Sequence, residues 1–222
     1  MMRSLLGLMA LTTITAVTAV TAVPASAEDH AVGARLGLLG IGVEYSYRLN
    51  DRILIRGGLN GSGFSFDETE SGIAYAFDLD FDSLSVGVDV HPLKNAFRVS
   101  AGLLQNDSAL KAIGIAAQSF TIGNTTYQPA DVGTLSGRIG FDGTAPFIAV
   151  GWDWLREKKV GFALDIGVLD QGPPTVVLSA SGPIASDPGF ASDLALERAE
   201  LQQSLDDLDV YPYAMFGVVF RF

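Results

Sequence analysis

Charged residues in this 222-residue chain alternate with apolar ones along several segments, which places ionisable groups on one face of successive strands. Side chains of both signs that share a narrow interior either pair with one another or line a path for polar solutes. We favour a salt-bridge core over a polar pore, because opposite charges at close range satisfy each other. The residues predicted to face this interior are Glu44, Arg48, Arg56, Asp89, Arg98, Arg138, Asp153, Asp165 and Arg221.

The two histidines offer little support for catalysis. His30 follows a predicted cleavage site, and His91 precedes Pro92 in a predicted turn, where a histidine is usually solvated. A pairing of His91 with Ser83 or Ser85 is the nucleophilic alternative. The chain has no G-x-S-x-G, HExxH or Walker motif. We therefore predict a protein that is not an enzyme, with no catalytic residues and no cofactor.

The segment 64–82 combines aromatic and acidic residues. Asp78, Asp80 and Asp82 fall on one face of a strand and lack the glycine turn of a calcium loop, so we predict no metal site and prefer a solvated strand above the membrane. The aromatic residues are either an interfacial belt, which we favour, or the mouth of a hydrophobic ligand site. They are Phe64, Phe66, Tyr75, Phe77 and Phe81.

The first 27 residues have the three parts of a secretory signal peptide. A short basic start is followed by an apolar stretch from Leu5 to Val23 and by the A-x-A site at residues 25–27. Many threonines and Pro24 make a membrane anchor the poorer alternative. We predict cleavage after Ala27 and one mature domain over residues 28–222.

Composition excludes several classes of protein. The chain has 14 basic and 25 acidic residues, and loss of Arg3 with the leader changes its net charge from −11 to −12. Such a charge repels phosphates, so nucleic acid is not an expected partner. The absence of cysteine excludes disulfides, thiolate metal sites and a lipoprotein anchor.

Alternation of apolar and polar residues predicts nine strands and one helix. The strands cover 34–49, 52–66, 72–90, a segment from Phe97, 132–141, 145–155, 160–169, 175–180 and 211–222. A change of alternation at Asp82 predicts a bulge, and 106–131 is predicted as a long loop with a small hairpin at 121–127. Leucine spacing predicts an acidic amphipathic helix near 192–208, capped by Ser192 or Asp187.

The expected fold is an all-β antiparallel transmembrane β-barrel of about eight strands, within a range of 8 to 10. A closed bacterial barrel requires an even number. Either the short strand at 175–180 belongs to a loop extension, or the first strand enters the barrel in an unusual way. Two tryptophans at the end of the sixth strand, Trp152 and Trp154, fit an interfacial aromatic girdle.

The last predicted strand ends on Phe222 with apolar residues at every second position. With the leader and the alternating strands, it resembles the small Gram-negative outer-membrane β-barrel superfamily typified by outer membrane protein A, X and W domains. The resemblance implies location in the outer membrane, contact with its lipid, and insertion by the barrel-assembly machinery through recognition of the last strand. The residues that carry this insertion signature are Phe216, Val218, Phe220 and Phe222.

We expect a non-enzymatic outer-membrane barrel with a structural or surface-interaction role. The alternative is a porin-like narrow channel or binding barrel for small solutes, as W-type proteins would allow. An enzyme that modifies lipids at the barrel rim is disfavoured by the histidine positions. A secreted β-sandwich or lipocalin-like binder would show the same alternation and is separated from the barrel by cell fractionation.

Overall fold

The computed structural model describes residues 29–70, 73–141, 143–154 and 159–222. The predicted signal peptide and its cleavage site lie outside these residues. The strands are β1 (His30–Gly37), β2 (Gly40–Arg48), β3 (Ile53–Glu70), β4 (Ile73–Val90), β5 (Phe97–Asn106), β6 (Ala109–Ala116), β7 (Phe120–Ile122), β8 (Thr125–Tyr127), β9 (Thr134–Gly140), β10 (Gly143–Asp153), β11 (Val160–Asp170), β12 (Thr175–Ala180) and β13 (Val210–Arg221). The helices are α1 (Pro129–Val132), a 3₁₀ turn (Pro183–Ser186) and α2 (Pro188–Leu205).

Eight antiparallel strands close into a barrel, which confirms the predicted fold class. Their order around the barrel is β1, β2, β3, β4, β5, β10, β11 and β13, and β13 pairs with β1 to complete the circle. Inward and outward side chains alternate along each strand, as a barrel wall requires. Each of these strands pairs with two neighbours, so the described wall has no free strand edge exposed to lipid.

The first predicted strand, over 34–49, is wrong, because the chain turns back at Leu38 and forms both β1 and β2. The turn requires a positive φ of 89° at Gly40, a conformation that residues with a Cβ rarely adopt. A Cβ at Gly40 would also lie 2.5 Å from Ser62 Oγ. One predicted strand is thus two barrel strands, and the additional strand is one of the eight that close the barrel.

The outward face of the barrel is apolar. Leu59, Leu84 and Val86 are each more than half exposed, as are Ile148 and Phe162. Exposed apolar side chains all around a closed barrel are stable in lipid hydrocarbon and costly in water. The barrel is therefore a transmembrane one.

Aromatic side chains gather at one end of the barrel, as expected of an interfacial girdle. The ring of Phe97 lies 5.8 Å from Trp152, and the ring of His30 lies 6.0 Å from Phe222. Other members at this end are Tyr45, Tyr47, Trp154 and Phe220. Phe216 and Val218 lie on the lipid-facing side of β13. Their predicted part in recognition by the assembly machinery stays a prediction.

The sheet of the barrel continues beyond its other end. β3 and β4 continue beyond the barrel wall, and β6, β9 and β12 extend this sheet in that order. β4 changes partner along its length: residues 83–90 pair with β5, and residues 73–80 pair with β6. We call this extension of the sheet, together with β7, β8, α1 and α2, the head; it covers residues 61–70, 73–82, 106–141 and 171–209.

The head corrects two sequence predictions and agrees with one of two alternatives left open for a third segment. The loop predicted over 106–131 contains β6, although its small hairpin is present as β7 and β8. The strands predicted over 132–141 and 175–180 are β9 and β12, which lie in the head and not in the barrel wall. The second of these is the loop extension that was one of the two alternatives.

The bulge predicted at Asp82 is absent, since β3 and β4 pair in unbroken register from Ile53 and Val90 up to Glu70 and Ile73. Alternation continues, but its surroundings change. In the barrel half of β4, from Leu84 to Val90, the outward face is apolar and contacts lipid. In the head half, from Asp78 to Asp82, the same face is acidic and contacts water. The other face of β4, which lines the lumen in the barrel, becomes apolar at the same point. The apolar residues therefore change from one face to the other, which in the sequence resembles a bulge.

The acidic helix begins earlier than predicted, at Pro188, and ends at Leu205. Asp187 is its cap: the carboxylate accepts hydrogen bonds from Gly189 N at 2.8 Å and Phe190 N at 3.1 Å. Among the described residues, no helix is both long enough and apolar enough to span a membrane.

The lipid-facing wall gives a testable difference between two exposed aliphatic residues, one in the barrel and one in the head. Val86→Arg places a cation against hydrocarbon and should destabilise the barrel by about 2–4 kcal/mol in urea unfolding from lipid vesicles. Ile115 in the head is 61% exposed, close to the 56% of Val86, and its cross-strand partners Ala74 and Thr134 are uncharged, so Ile115→Arg is the matched control and should have little effect. Equal destabilisation by both changes would contradict the membrane boundary at Asp82.

Candidate functional site

The centre of the lumen holds a buried carboxylate shared by three arginines. Arg56 Nη1 lies 3.0 Å and Arg98 Nη2 lies 2.8 Å from Asp165 Oδ2, and Arg35 donates to the same oxygen. Asp165 is fully buried, and each of the three arginine side chains is at most 4% exposed. The arginines come from β1, β3 and β5, so one carboxylate on β11 connects four strands through the lumen.

Two further carboxylates balance the three guanidinium groups. Asp89 on β4 is fully buried; it accepts a hydrogen bond from Arg98 Nη1 at 2.6 Å and forms an ion pair with Arg56 Nη2 at 3.1 Å. Glu44 on β2 lies 3.2 Å from Arg56 and 3.5 Å from Arg35. The six side chains carry three charges of each sign, which is the arrangement that makes burial of ions tolerable. We call these six residues the lumen network.

Glycines on the inner wall make room for these long side chains. A Cβ at Gly217 would lie 2.5 Å from Arg35 Cδ, and a Cβ at Gly151 would lie 2.6 Å from Asp165 Oδ1. Both positions face the lumen, so any larger residue would displace the network. The inner face of the last strand is otherwise uncharged up to Arg221, as its sequence predicts.

An apolar layer lies above the lumen network, toward the head. The rings of Phe147 and Tyr213 stack at a centroid distance of 5.5 Å, and Leu39 from the β1–β2 turn packs with them. Leu104, Leu169 and Met215 complete this layer, and all are at most 2% exposed. Toward the opposite end, Ala31, Ala163 and Val219 form a small apolar cluster. The lumen is thus filled at successive levels.

Of the nine residues predicted to face the lumen, five belong to the network: Glu44, Arg56, Asp89, Arg98 and Asp165. Asp153 is buried near the girdle end of β10, and Arg48 and Arg221 are partly buried near the same rim.

Arg138 is a correction, because it lies on β9 in the head, opposite Lys111 of β6. β9 pairs with β6 and β12 and never joins the barrel wall, so the alternation of its residues reflects a head sheet.

Sequence reasoning missed Arg35. The prediction of a single strand over 34–49 assigned inward and outward positions only to residues from Leu39 onward. Arg35 was therefore assigned to neither side. The glycines at positions 37 and 40 are the signal that marks the turn. With β1 treated separately, Arg35 falls on the same face as Ala31 and Gly33.

His91 does not match its predicted solvated position, since it is 4% exposed. His30 is partly buried, and its Nδ1 lies 2.5 Å from the Tyr45 hydroxyl near the seam between β1 and β13. Neither histidine forms part of the lumen network.

In the described segments, no group of three or more histidine, aspartate or glutamate side chains is placed to hold a metal ion. Of the three aspartates on the outer face of β4, Asp78 accepts from Ser65 and Asp80 pairs with Lys111.

The head has its own small core, built by α2 against the β7–β8 hairpin. Phe190 of α2 packs with Ile122 and Val132, and its ring meets that of Tyr127 at 5.1 Å. The Tyr127 hydroxyl donates to Asp193 at 2.8 Å, and Gly123 N donates to Glu197 at 3.2 Å. Hydrogen bonds from Thr125 and Tyr127 lower the pKa of the Asp193 carboxyl.

The closed eight-stranded wall, its apolar outer face and its aromatic end define a small β-barrel of the outer-membrane type. Two solved structures share this fold: CarO2 of Acinetobacter baumannii, with a TM-score of 0.59 and 20% identity, and CarO of the same organism, with a TM-score of 0.58 and 20% identity. They cover 87% and 86% of this chain, and 98% and 97% of their own chains, respectively. No known protein-family profile matches the chain. No curated protein matches it in sequence.

Asp165 supports a stability prediction. Asp165→Asn removes the charge shared by three buried arginines and should destabilise the barrel by about 3–5 kcal/mol. The control is Asp80→Asn, which breaks the exposed pair with Lys111 and should cost about 0–1 kcal/mol. Both free energies of unfolding are measured in the same lipid vesicles. A loss below 1 kcal/mol for Asp165→Asn would contradict the central position of this carboxylate.

Attachment of α2 should depend on pH. The pKa of Asp193 is lower in the folded head than in the free chain, so its stabilising effect is complete above a pH of about 4 and is lost as pH falls through the lowered value. The hydrogen-exchange protection factors of residues 188–205, which correct for the intrinsic pH dependence of exchange, should therefore stay constant from neutral pH down to that range and then fall. Asp193→Asn should accelerate exchange at neutral pH. A transition near pH 6 would contradict this assignment.

Proposed function

We propose that the protein is a closed, non-conducting barrel whose role is structural and which presents an acidic head for surface interaction. The carrying observation is the filled lumen. Solute passage would require the lumen network and the apolar layer above it to open together. Opening the network separates buried ions, which is costly.

The charge of the chain is concentrated in the head. The head contains 15 acidic and 3 basic residues, a net charge of −12, whereas the rest of residues 28–222 contains 10 of each sign. The barrel is therefore neutral as a whole, and the protein's field originates from one end. An acidic surface on a neutral anchor supports a role in contact with other molecules.

Loop lengths indicate the side on which the head lies. The turns at the girdle end are short, such as residues 49–52 and 91–96, while the head occupies the opposite end. Outer-membrane barrels have short periplasmic turns and long extracellular connections. We infer that the head faces the cell exterior.

Conductance separates this proposal from the alternative of a narrow channel for small solutes. Purified protein in a planar lipid bilayer should give no discrete current steps in 1 M KCl at neutral pH. A wide porin added afterwards to the same bilayer confirms that open barrels are detected. Reproducible steps from the wild-type protein, altered in ion selectivity by Arg98→Ala, would refute the closed lumen.

A further inference from the structure

The aromatic residues near the acidic loop do not form a lipid-facing belt. They lie on the face of β3 and β4 that continues from the lumen, above the barrel mouth. Phe66 stacks on Phe77 with ring centroids 5.0 Å apart, and Tyr75 stacks on Phe77 at 5.7 Å. Phe66 is 42% exposed, so this aromatic surface is open to solvent.

The covering of this sheet face is uneven. At the far side, α2 and the β7–β8 hairpin cover β9 and β12 around Phe190, Leu135 and Ala180. At the near side, Phe64 is 52% exposed although it also contacts another ring, that of Phe81 at 6.4 Å. The head therefore leaves its aromatic side uncovered while it buries the aliphatic side.

The carboxylate of Glu68 lies on the aromatic face. Glu68 is the direct cross-strand partner of Tyr75, two residues along from the pair formed by Phe66 and Phe77. Cross-strand partners project to the same side of a sheet. Glu68 is exposed, and within the described residues its carboxylate has no hydrogen bond or ion pair. By contrast, Asp78 and Asp80 on the opposite face are both engaged.

We propose that Phe66, Tyr75, Phe77 and Glu68 bind an alkylammonium group carried by a small, water-soluble organic cation. Aromatic faces attract ammonium ions, and quaternary ammonium groups are held by several rings in this way. Glu68 supplies a countercharge at the edge of the rings, and the net charge of the head raises the local concentration of cations. An anionic or neutral apolar ligand would gain the ring contacts and lose both electrostatic contributions.

This inference rests on the proposed function, because it names the kind of molecule that the acidic head contacts. Its test is independent of conductance, since it measures binding to the full-length mature protein in a detergent without an ammonium headgroup. A failure to bind would leave the closed lumen standing, and conductance would not affect the binding result.

The probes are choline and its neutral isostere 3,3-dimethylbutanol, both followed by saturation-transfer NMR. Choline should bind more tightly than the isostere, and Phe66→Leu should weaken choline binding by about two- to fivefold. Equal binding of the two probes would overturn the proposal, because apolar contact alone would then explain it. Absence of choline binding would overturn it as well.

A neighbouring acid provides the matched control. Glu68→Gln should weaken choline binding by about two- to fivefold, whereas Asp67→Asn, with the same loss of charge one residue away, should leave it unchanged. Asp67 pairs with Ala76 and projects to the opposite face of the sheet. Equal weakening by both changes would show an unspecific field and refute the site. Heat-dependent gel mobility checks that each variant retains its barrel.

Discussion

The convergence of three arginines on Asp165 is the interaction on which the barrel depends. Together with Asp89 and Glu44, it connects six of the eight barrel strands across the lumen. A shift of any strand by one residue would turn its charged member toward lipid and leave its partner buried without a counterion. The network therefore specifies strand register as well as filling space. A buried ion network of this kind is better understood as a constraint on alternatives than as a source of stability.

The rest of the lumen follows from that constraint. Long guanidinium side chains reach the centre only where the opposing wall is small, which explains the glycines at 151 and 217. Above the ions, the narrow lumen is filled with rings and aliphatic side chains such as Phe147 and Tyr213. Their apolar surface excludes water from the ions below and strengthens the pairing. Charge balance and a dry upper layer thus act together.

The fold class and most of the lumen charges could be predicted from alternation alone, because a barrel wall has one polar and one apolar face. Prediction failed where the surroundings of a face changed while the backbone did not. At Asp82 the outer face passes from lipid to water, and regular alternation resembled a bulge. The segment around Arg138 alternates as a barrel strand does, but β9 lies in the head because it pairs with β6 and β12. Alternation within one strand does not reveal its pairing partners. Arg35 was hidden by a two-residue turn inside an apparently continuous strand.

The change of surroundings also accounts for the contrast between a closely packed lumen below and an exposed aromatic face above. Within the membrane, β3 and β4 present polar residues inward, and Arg56 and Asp89 among them belong to the lumen network. Above it, the same face carries Phe66, Phe77 and Tyr75, and no opposing wall closes over them because β4 has exchanged β5 for β6 as its neighbour. The sheet ceases to be a closed barrel at the level where β4 changes partner. The rings just above that level are therefore exposed to water at the barrel mouth. Two continuous strands thereby join a closed interior to an open aromatic surface.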